Sequence, residues 1–321
     1  MLRVLFAGTP EAAVPSLRML AHDHEHFEVV AVLTNPDAPT GRGRKVAASP
    51  VKRAALELDL PVLESDPRED TFLSALQATG AQMGVVVAYG HILRQEVLDA
   101  LPMGWVNLHF SLLPQWRGAA PVQRAIWAGE AITGTSVFQL TAGMDTGPVL
   151  AQSTTRIGAH ETAGELLDRL AEDGAHLLAA SLNAVEAGQI TPVEQPEGDF
   201  EVAAKISHED AHLRFSVPAF AVDRQVRACT PAPGAWCELH QGGDGETTVL
   251  HVTKSVAVQP DDENAPHDLK PGELRAGKKR VFVGTKGEAL ELLAVKPQGK
   301  KEMGAAEWAR GARLSEGSYC D

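Results

Sequence analysis

Apolar residues in the first half of the chain come in short blocks, separated by longer stretches with helical spacing. Leu2–Ala7, Val29–Leu33, Val62–Leu63, Met83–Ala88 and Gly104–Leu108 are nearly continuous in apolar residues and read as buried strands. Between them, Leu17 and Leu20, then Val51, Ala54, Ala55 and Leu58, then Phe72, Leu73 and Leu76 recur three or four residues apart, as on one helix face. Thr9-Pro10-Glu11 is expected to open the first helix as N-cap, N1 proline and acidic first turn. A second helix is expected to start near Ser49-Pro50. Ser136–Leu140 and Val149–Thr155 add two strands, and Thr162–Ala187 fits a long amphipathic helix with Leu166, Leu167, Leu170, Leu177 and Leu178 inward. Strands alternating with helices predict an α/β class with a doubly wound, mostly parallel sheet. Such sheets bind ligands beyond the carboxyl ends of their strands.

The pattern changes near residue 189. Gly188 to about Lys205 is rich in Pro, Gly and Glu and weakly periodic, as a linker would be. Beyond it, Val217–Ala228 suits one helix. Ala235–Leu239, Thr247–Val256, Arg280–Val283 and Ala289–Val295 are short β-like runs separated by turn formers, which suggests a small β-barrel or sandwich. The expected organisation is a first domain over 1–189, a linker over 190–206 and a smaller β domain over 207–321.

A length of 321 residues suits two domains, and 44% hydrophobic with 22% charged residues is ordinary for a globular protein with a sizeable core. No apolar run approaches the ~20 residues that cross a bilayer. The amino terminus enters a strand directly, without signal-peptide order, so a cytoplasmic location is expected. Cys229, Cys237 and Cys320, without C-x-x-C, suit reduced thiols. A net charge of −13 argues against nonspecific coating of nucleic acid, yet two local runs are basic. One holds Arg42, Arg44, Lys45, Lys52 and Arg53; the other holds Arg275, Lys278, Lys279, Arg280, Lys286, Lys296, Lys300 and Lys301.

Chemistry concentrates at predicted strand ends. Asn107 and His109 are two residues apart, so they share a face of their strand. An amide donor and an imidazole, with a carboxylate, suit acyl transfer: the amide serves an oxyanion and the imidazole handles charge or a proton. Asp145, in Gly143-Met-Asp-Thr-Gly147, is the candidate carboxylate. The plainer alternative has Asn107 and His109 bonded to backbone and Asp145 as a turn residue. Arg117 has two readings: it binds an anionic tail or phosphate, or it pairs within the fold. Gly8-Thr-Pro-Glu is not G-x-G-x-x-G, and no Walker A sequence occurs, so neither a dinucleotide nor ATP is indicated. His208-Glu209-Asp-Ala-His212 fits H-E-x-x-H literally. A zinc hydrolase also needs a helix and a third ligand, and no third-ligand pattern follows. No metal is expected.

Val87-Ala-Tyr-Gly90, Asn107-x-His109-x-Ser-Leu-Leu-Pro114, Trp116-Arg-Gly-Ala-Ala-Pro121 and Gly143-x-Asp-Thr-Gly147 together resemble the folate-dependent formyltransferases. Phe6-Ala-Gly-Thr-Pro10, Pro36-Asp37, Gly41-Arg-Gly-Arg-Lys45, Ser49-Pro-Val-Lys52, Pro231-x-Pro-Gly-Ala-Trp236 and Gly299-Lys-Lys301-x-Met303 narrow the resemblance to the branch acting on methionyl-tRNA. The resemblance implies a Rossmann-like formyltransferase fold followed by an OB-like barrel. It implies 10-formyltetrahydrofolate as co-substrate, initiator methionyl-tRNA as partner and a role in translation initiation. By position, Asn107, His109 and Asp145 match the catalytic trio, with Asp145 orienting His109. Ser111, Leu112, Leu113 and Pro114 match the folate-binding segment, opposite a wall formed by the backbone of Val87, Ala88, Tyr89 and Gly90 with Ile92. Arg42, Arg44 and Lys45 match a loop that enters the tRNA acceptor arm, and Lys278, Lys279, Arg280, Lys300 and Lys301 would hold the tRNA body. A monomer is expected. The nearest rival is a related enzyme that formylates a small amine, such as a nucleotide-sugar or ribonucleotide. Phe110 departs from the family, which usually carries a small residue there.

Overall fold

Two compact units divide the chain: Met1–Pro121, Ile132–Arg156 and Leu167–Ala203 form the first, and Val122–Ala131, Ile157–Leu166 and Ala204–Asp321 the second. The computed structural model describes residues 1–40, 45–241, 247–312, 314 and 317–321. Arg42 and Arg44 of the basic loop lie outside the described residues.

The strands of the first unit are β1 (Leu2–Gly8), β2 (Phe27–Leu33), β3 (Ala38–Thr40), β4 (Lys45–Ala47), β5 (Val62–Leu63), β6 (Met83–Val87), β7 (Trp105–His109), β8 (Arg117–Gly118), β9 (Ile132–Gln139), β10 (Val149–Arg156) and β11 (Val202–Ala203); the short β3, β4, β8 and β11 do not correspond to apolar blocks. The main sheet runs β10-β9-β7-β6-β1-β2-β5. Only β9 opposes its neighbours; β1, β2, β5, β6 and β7 are parallel. Strand order reverses between β1 and β6, the switch point of a doubly wound sheet. α1 (Val14–His22), α2 (Pro50–Glu57), α3 (Asp70–Ala78) and α4 (Gln95–Leu98) fill the crossovers. One apolar cluster joins Leu5, Ala7, Phe72, Leu76, Val97 and Trp105, all buried.

The first helix does not start as the sequence suggests. A 3-10 turn, Glu11–Ala13, precedes α1, and Pro10 caps it without a side-chain hydrogen bond. The Thr9 hydroxyl instead donates to the Tyr89 carbonyl, 3.1 Å away. Thr9 therefore ties β1 to the end of β6. Ser49 does cap α2, accepting from the Lys52 amide.

Gly84 lets β6 and β7 lie together. A Cβ there would sit 2.0 Å from Trp105 Cε3, and the indole is pinned by its Nε1–H to the Val97 carbonyl, 2.9 Å. Gly84→Ala is expected to cost about 1–3 kcal/mol through overpacking, read as a lower denaturant midpoint at unchanged m.

The long helix α6 (Ala163–Glu186) carries Leu166, Leu170, Leu178 and Leu182 buried. A Cβ on Gly174 would sit 3.0 Å from Leu108 Cδ2 and 3.3 Å from Thr135 Cγ2, so the helix covers the sheet face opposite Asn107. Val122–Ala131, which contains most of α5 (Pro121–Ala128), belongs to the second unit.

In the second unit, β12 (Trp236–His240), β13 (Thr247–Ala257), β14 (Leu274–Ala276), β15 (Val281–Val283), β16 (Leu290–Pro297), β17 (Met303–Gly304) and β18 (Tyr319–Cys320) are joined by α7 (Ala219–Cys229) and α8 (Ala305–Ala312). The path β14-β15-β16-β13-β12-β18 is antiparallel. It turns back on itself where Glu273 bridges Tyr319 and the Cys320 amide donates to Gly272. The result is a nearly closed barrel, which leaves few free strand edges. On α7, buried Asp223 accepts from Arg227 and Ser255, at 2.8 and 2.9 Å. No helix among the described residues is long and apolar enough to cross a membrane.

Candidate active site

The cleft opens beyond the carboxyl ends of β6 and β7. Val86 and Asn107 are register partners, so they share a face, and alternation along β7 adds His109 to it. The connection from β9 to β10 starts beside Trp105, where the Leu140 amide bonds the Trp105 carbonyl. It then folds back to bring Asp145 next to His109.

His109 is buried, with 7% of its side chain exposed, and Asp145 is nearly so at 15%. The Nε2–H of His109 donates to the Trp116 carbonyl at 2.9 Å. A carbonyl only accepts, so this bond sets the tautomer and leaves Nδ1 without a proton when the ring is neutral. Nδ1 lies 3.8 Å from Asp145 Oδ2, beyond hydrogen-bond range. Asp145 therefore faces His109 at ion-pair distance, while the hydrogen bond that fixes the ring goes to Trp116. Asp145 Oδ2 is held by the Gly118 amide at 2.8 Å. Phe138 meets the imidazole edge-on at 6.4 Å. Burial holds the His109 pKa below its ordinary 6.5, opposed by the Asp145 carboxylate and the Trp116 bond. Because the folded value is depressed, the stability that neutral His109 contributes is complete above pH 6.5 and lost as pH falls through the folded value.

Among the described residues none hydrogen-bonds the Asn107 carboxamide, which borders the cleft. Two adjoining lobes share Val86, His91, Ile92, Asn107, Met144 and Asp145; their volumes are about 390 Å³ and 120 Å³. Ala88, Tyr89, Gly90 and Ile92 line the larger lobe, and Val87 is not among its lining residues. Val87 is wholly buried on the other face, and Val86 takes its place. Val86, His91 and Met144 are not evident from sequence, because strand register decides the first and loop folding the others. Phe110 is buried and borders the larger lobe. Ala88, Trp116 and Asp145 all have left-handed φ, 48°, 60° and 51°; each costs roughly 1–2 kcal/mol in a non-glycine residue.

Ser111, Leu112, Leu113 and Pro114 are not among the residues lining either lobe. Several of their polar groups are engaged within the fold. Ser111 Oγ donates to the Gln115 carbonyl, Ser136 Oγ donates to the Ser111 carbonyl, and the Leu113 amide donates to Ser136 Oγ. Gln152 Nε2 donates to the Leu113 carbonyl at 2.9 Å. This loop braces the end of β7.

The basic residues divide. Lys45 is exposed on β4, which pairs antiparallel with β3. Lys278, Lys279, Lys300 and Lys301 are exposed in the second unit. Arg280 is held within the fold: Asp262 and Glu291 pair it at 2.7 and 2.6 Å, and it lies over the Phe282 ring. Lys52 is likewise paired, with Asp37 and Glu64. The His208–His212 segment is a turn, not a helix, and both imidazoles stack on Trp236, at 4.7 and 4.2 Å. The zincin arrangement is thus absent. Neither histidine joins Glu238, His240 and Asp321, the group of potential ligand atoms that converges among the described residues.

Residues 2–182 match the formyl transferase family, and residues 205–313 match its C-terminal domain. The chain belongs to the formyl transferase family. This formyl transferase is 68% identical over 321 residues, all of both chains, to the methionyl-tRNA formyltransferase of Bifidobacterium adolescentis. It is 49% identical over 317 residues, 98% of each chain, to that of Streptomyces coelicolor. Among solved structures it resembles an N-formyltransferase from Helicobacter canadensis in complex with folinic acid and dTDP-3-aminofucose. That match has TM-score 0.62 and 18% identity, covering 91% of this chain and 99% of the other. Glycinamide ribonucleotide transformylase 1 from Symbiobacterium toebii matches with TM-score 0.52 and 20% identity, over 60% of this formyl transferase and 95% of that chain.

Proposed function

We propose that this formyl transferase moves the formyl group of 10-formyltetrahydrofolate onto the amino group of initiator methionyl-tRNA. The observation that carries this reading is 68% identity over the whole chain, both units included, to an enzyme of that name. The cleft suits the chemistry. The folate's flat ring system enters between the Ala88–Ile92 wall and the Leu140–Asp145 connection, and the formyl carbon meets Asn107. The neutral amine attacks that carbon. The free Asn107 amide donates to the oxygen as it gains charge. Nδ1 of neutral His109 accepts the proton that the amine sheds, and the imidazolium so formed faces Asp145. The tetrahedral centre collapses, the bond to the folate nitrogen breaks, and His109 returns the proton to that nitrogen. The products are the formylated amine and tetrahydrofolate, with no net change in the enzyme.

The supporting assay mixes the protein with 10-formyltetrahydrofolate and charged initiator tRNA and looks for formyl-methionine. A small free amine accepted better than the tRNA would overturn the reading. For tRNA docking, replacing Lys278, Lys279, Lys300 and Lys301 together by alanine is expected to raise KM for tRNA and leave KM for folate unchanged. It should also flatten the salt dependence by about 1 in slope for each phosphate no longer neutralised. Arg280→Ala is expected to lower Tm with little change in either KM, because its charge is spent within the barrel.

A further inference from the structure

The stretch expected to be a linker is hydrogen-bonded to the segments that carry Asp145 and Trp116. Val193 bridges Val149 by two backbone hydrogen bonds of 2.8 Å. Eight residues on, the Glu201 carbonyl accepts from the Trp116 amide, and β11 then pairs in parallel with β8. The Ala120 amide donates to the Ala203 carbonyl. Between these anchors lies Gln195. Its Nε2 donates to the carbonyls of Asp145 and Gly147, both at 2.8 Å. Its Oε1 accepts from Arg117 Nε and Nη2, at 3.0 and 2.6 Å, and the Arg117 guanidinium lies over the Phe200 ring.

We propose that Gln195 is a positioning residue for formyl transfer, fixing Asp145 relative to His109 by clamping both the Asp145 loop and the Trp116–Gly118 segment. Trp116 sets the His109 tautomer and Gly118 holds the Asp145 carboxylate, and Arg117 lies between them. One carboxamide thus serves both halves of the pair. The position requires that group: two donated bonds and an acceptor in one plane exclude Glu, which cannot donate, and Asn is one methylene too short. Asp145 also needs it. A non-glycine residue at φ 51° persists only where its surroundings over-determine it. Here the Gln195 bond to its carbonyl and the Gly118 bond to its carboxylate supply that constraint. The two readings of Arg117 are resolved the same way: its side chain is an internal strut.

This inference rests on the formyl-transfer reading, and the test separates the two. Gln195→Ala and Gln195→Glu are made in the full chain and assayed with 10-formyltetrahydrofolate and charged initiator tRNA. Both are expected to lose about 10–10² in kcat, the cost of misplacing a reacting group by about 1 Å, with KM for each substrate within about twofold. Gln195→Glu keeps the Arg117 contact and guards against simple unfolding of the alanine variant. In an Asp145→Asn background, either change is expected to cost less than about twofold more, because it acts through that carboxylate. An unchanged kcat, or the full loss repeated in the Asp145→Asn background, overturns the proposal. A second readout needs no turnover: the titration midpoint of His109, followed by NMR in the substrate-free chain, should move to lower pH in Gln195→Ala as Asp145 withdraws. A wild-type midpoint in that variant overturns the positioning role even if the tRNA proves not to be the substrate.

Discussion

Asn107→Ala is expected to lower kcat by about 10²–10³, the usual consequence of losing one oxyanion donor, while Tm stays near wild type. The Asn107 carboxamide borders the cleft and bonds no other protein group among the described residues, so its removal leaves no buried partner stranded. Its main-chain pairing with Val86 and Phe138 is untouched by the change. The loss should fall on kcat more than on either KM, since the interaction strengthens only as the formyl oxygen acquires charge. Steady-state kinetics beside a thermal melt check this, and near-normal turnover would sink the oxyanion role.

His109→Ala is expected to cost about 10²–10⁴ in kcat, the range for a positioned acid–base group, and to change the shape of the pH profile. In the wild type, burial lowers the His109 pKa, so the neutral base predominates at neutral pH and turnover falls as pH drops below the folded value. The residual rate of the variant should lose that acid limb. The opposite profile, with wild-type activity rising on acidification, would mean that the imidazolium is the working form. Some destabilisation should accompany the change, because the Trp116 carbonyl loses its donor.

The sheet and barrel are legible from periodicity because buried strands and helix faces impose patterns of about two and 3.6 residues on the chain. Asn107 and His109 are legible as a pair for the same reason. Register is not. Whether Val86 or Val87 faces the cleft depends on a pairing between strands about twenty residues apart, and a shift of one residue exchanges the faces. Composition also misleads at Gly188–Lys205: Pro, Gly and Glu mark a segment without regular structure, yet Gln195 and Val202–Ala203 are fixed by tertiary hydrogen bonds. Arg280 is a similar case. A basic residue in a basic run looks available, but Asp262 and Glu291 claim it from elsewhere in the chain. Ser111–Pro114 carries a family signature without revealing that the Leu113 amide and carbonyl are bonded by Ser136 and Gln152.

The pairing of Val202–Ala203 with Arg117–Gly118 bears on how such proteins can be recombined. A chimaera joined at residue 189 would take the stretch around Gln195 from the donor, and with it a foreign support for the host's own Asp145. A join after Ala203 would keep that support native and exchange only residues 204–321. The breakpoint that preserves chemistry therefore lies some fourteen residues downstream of the one that composition suggests.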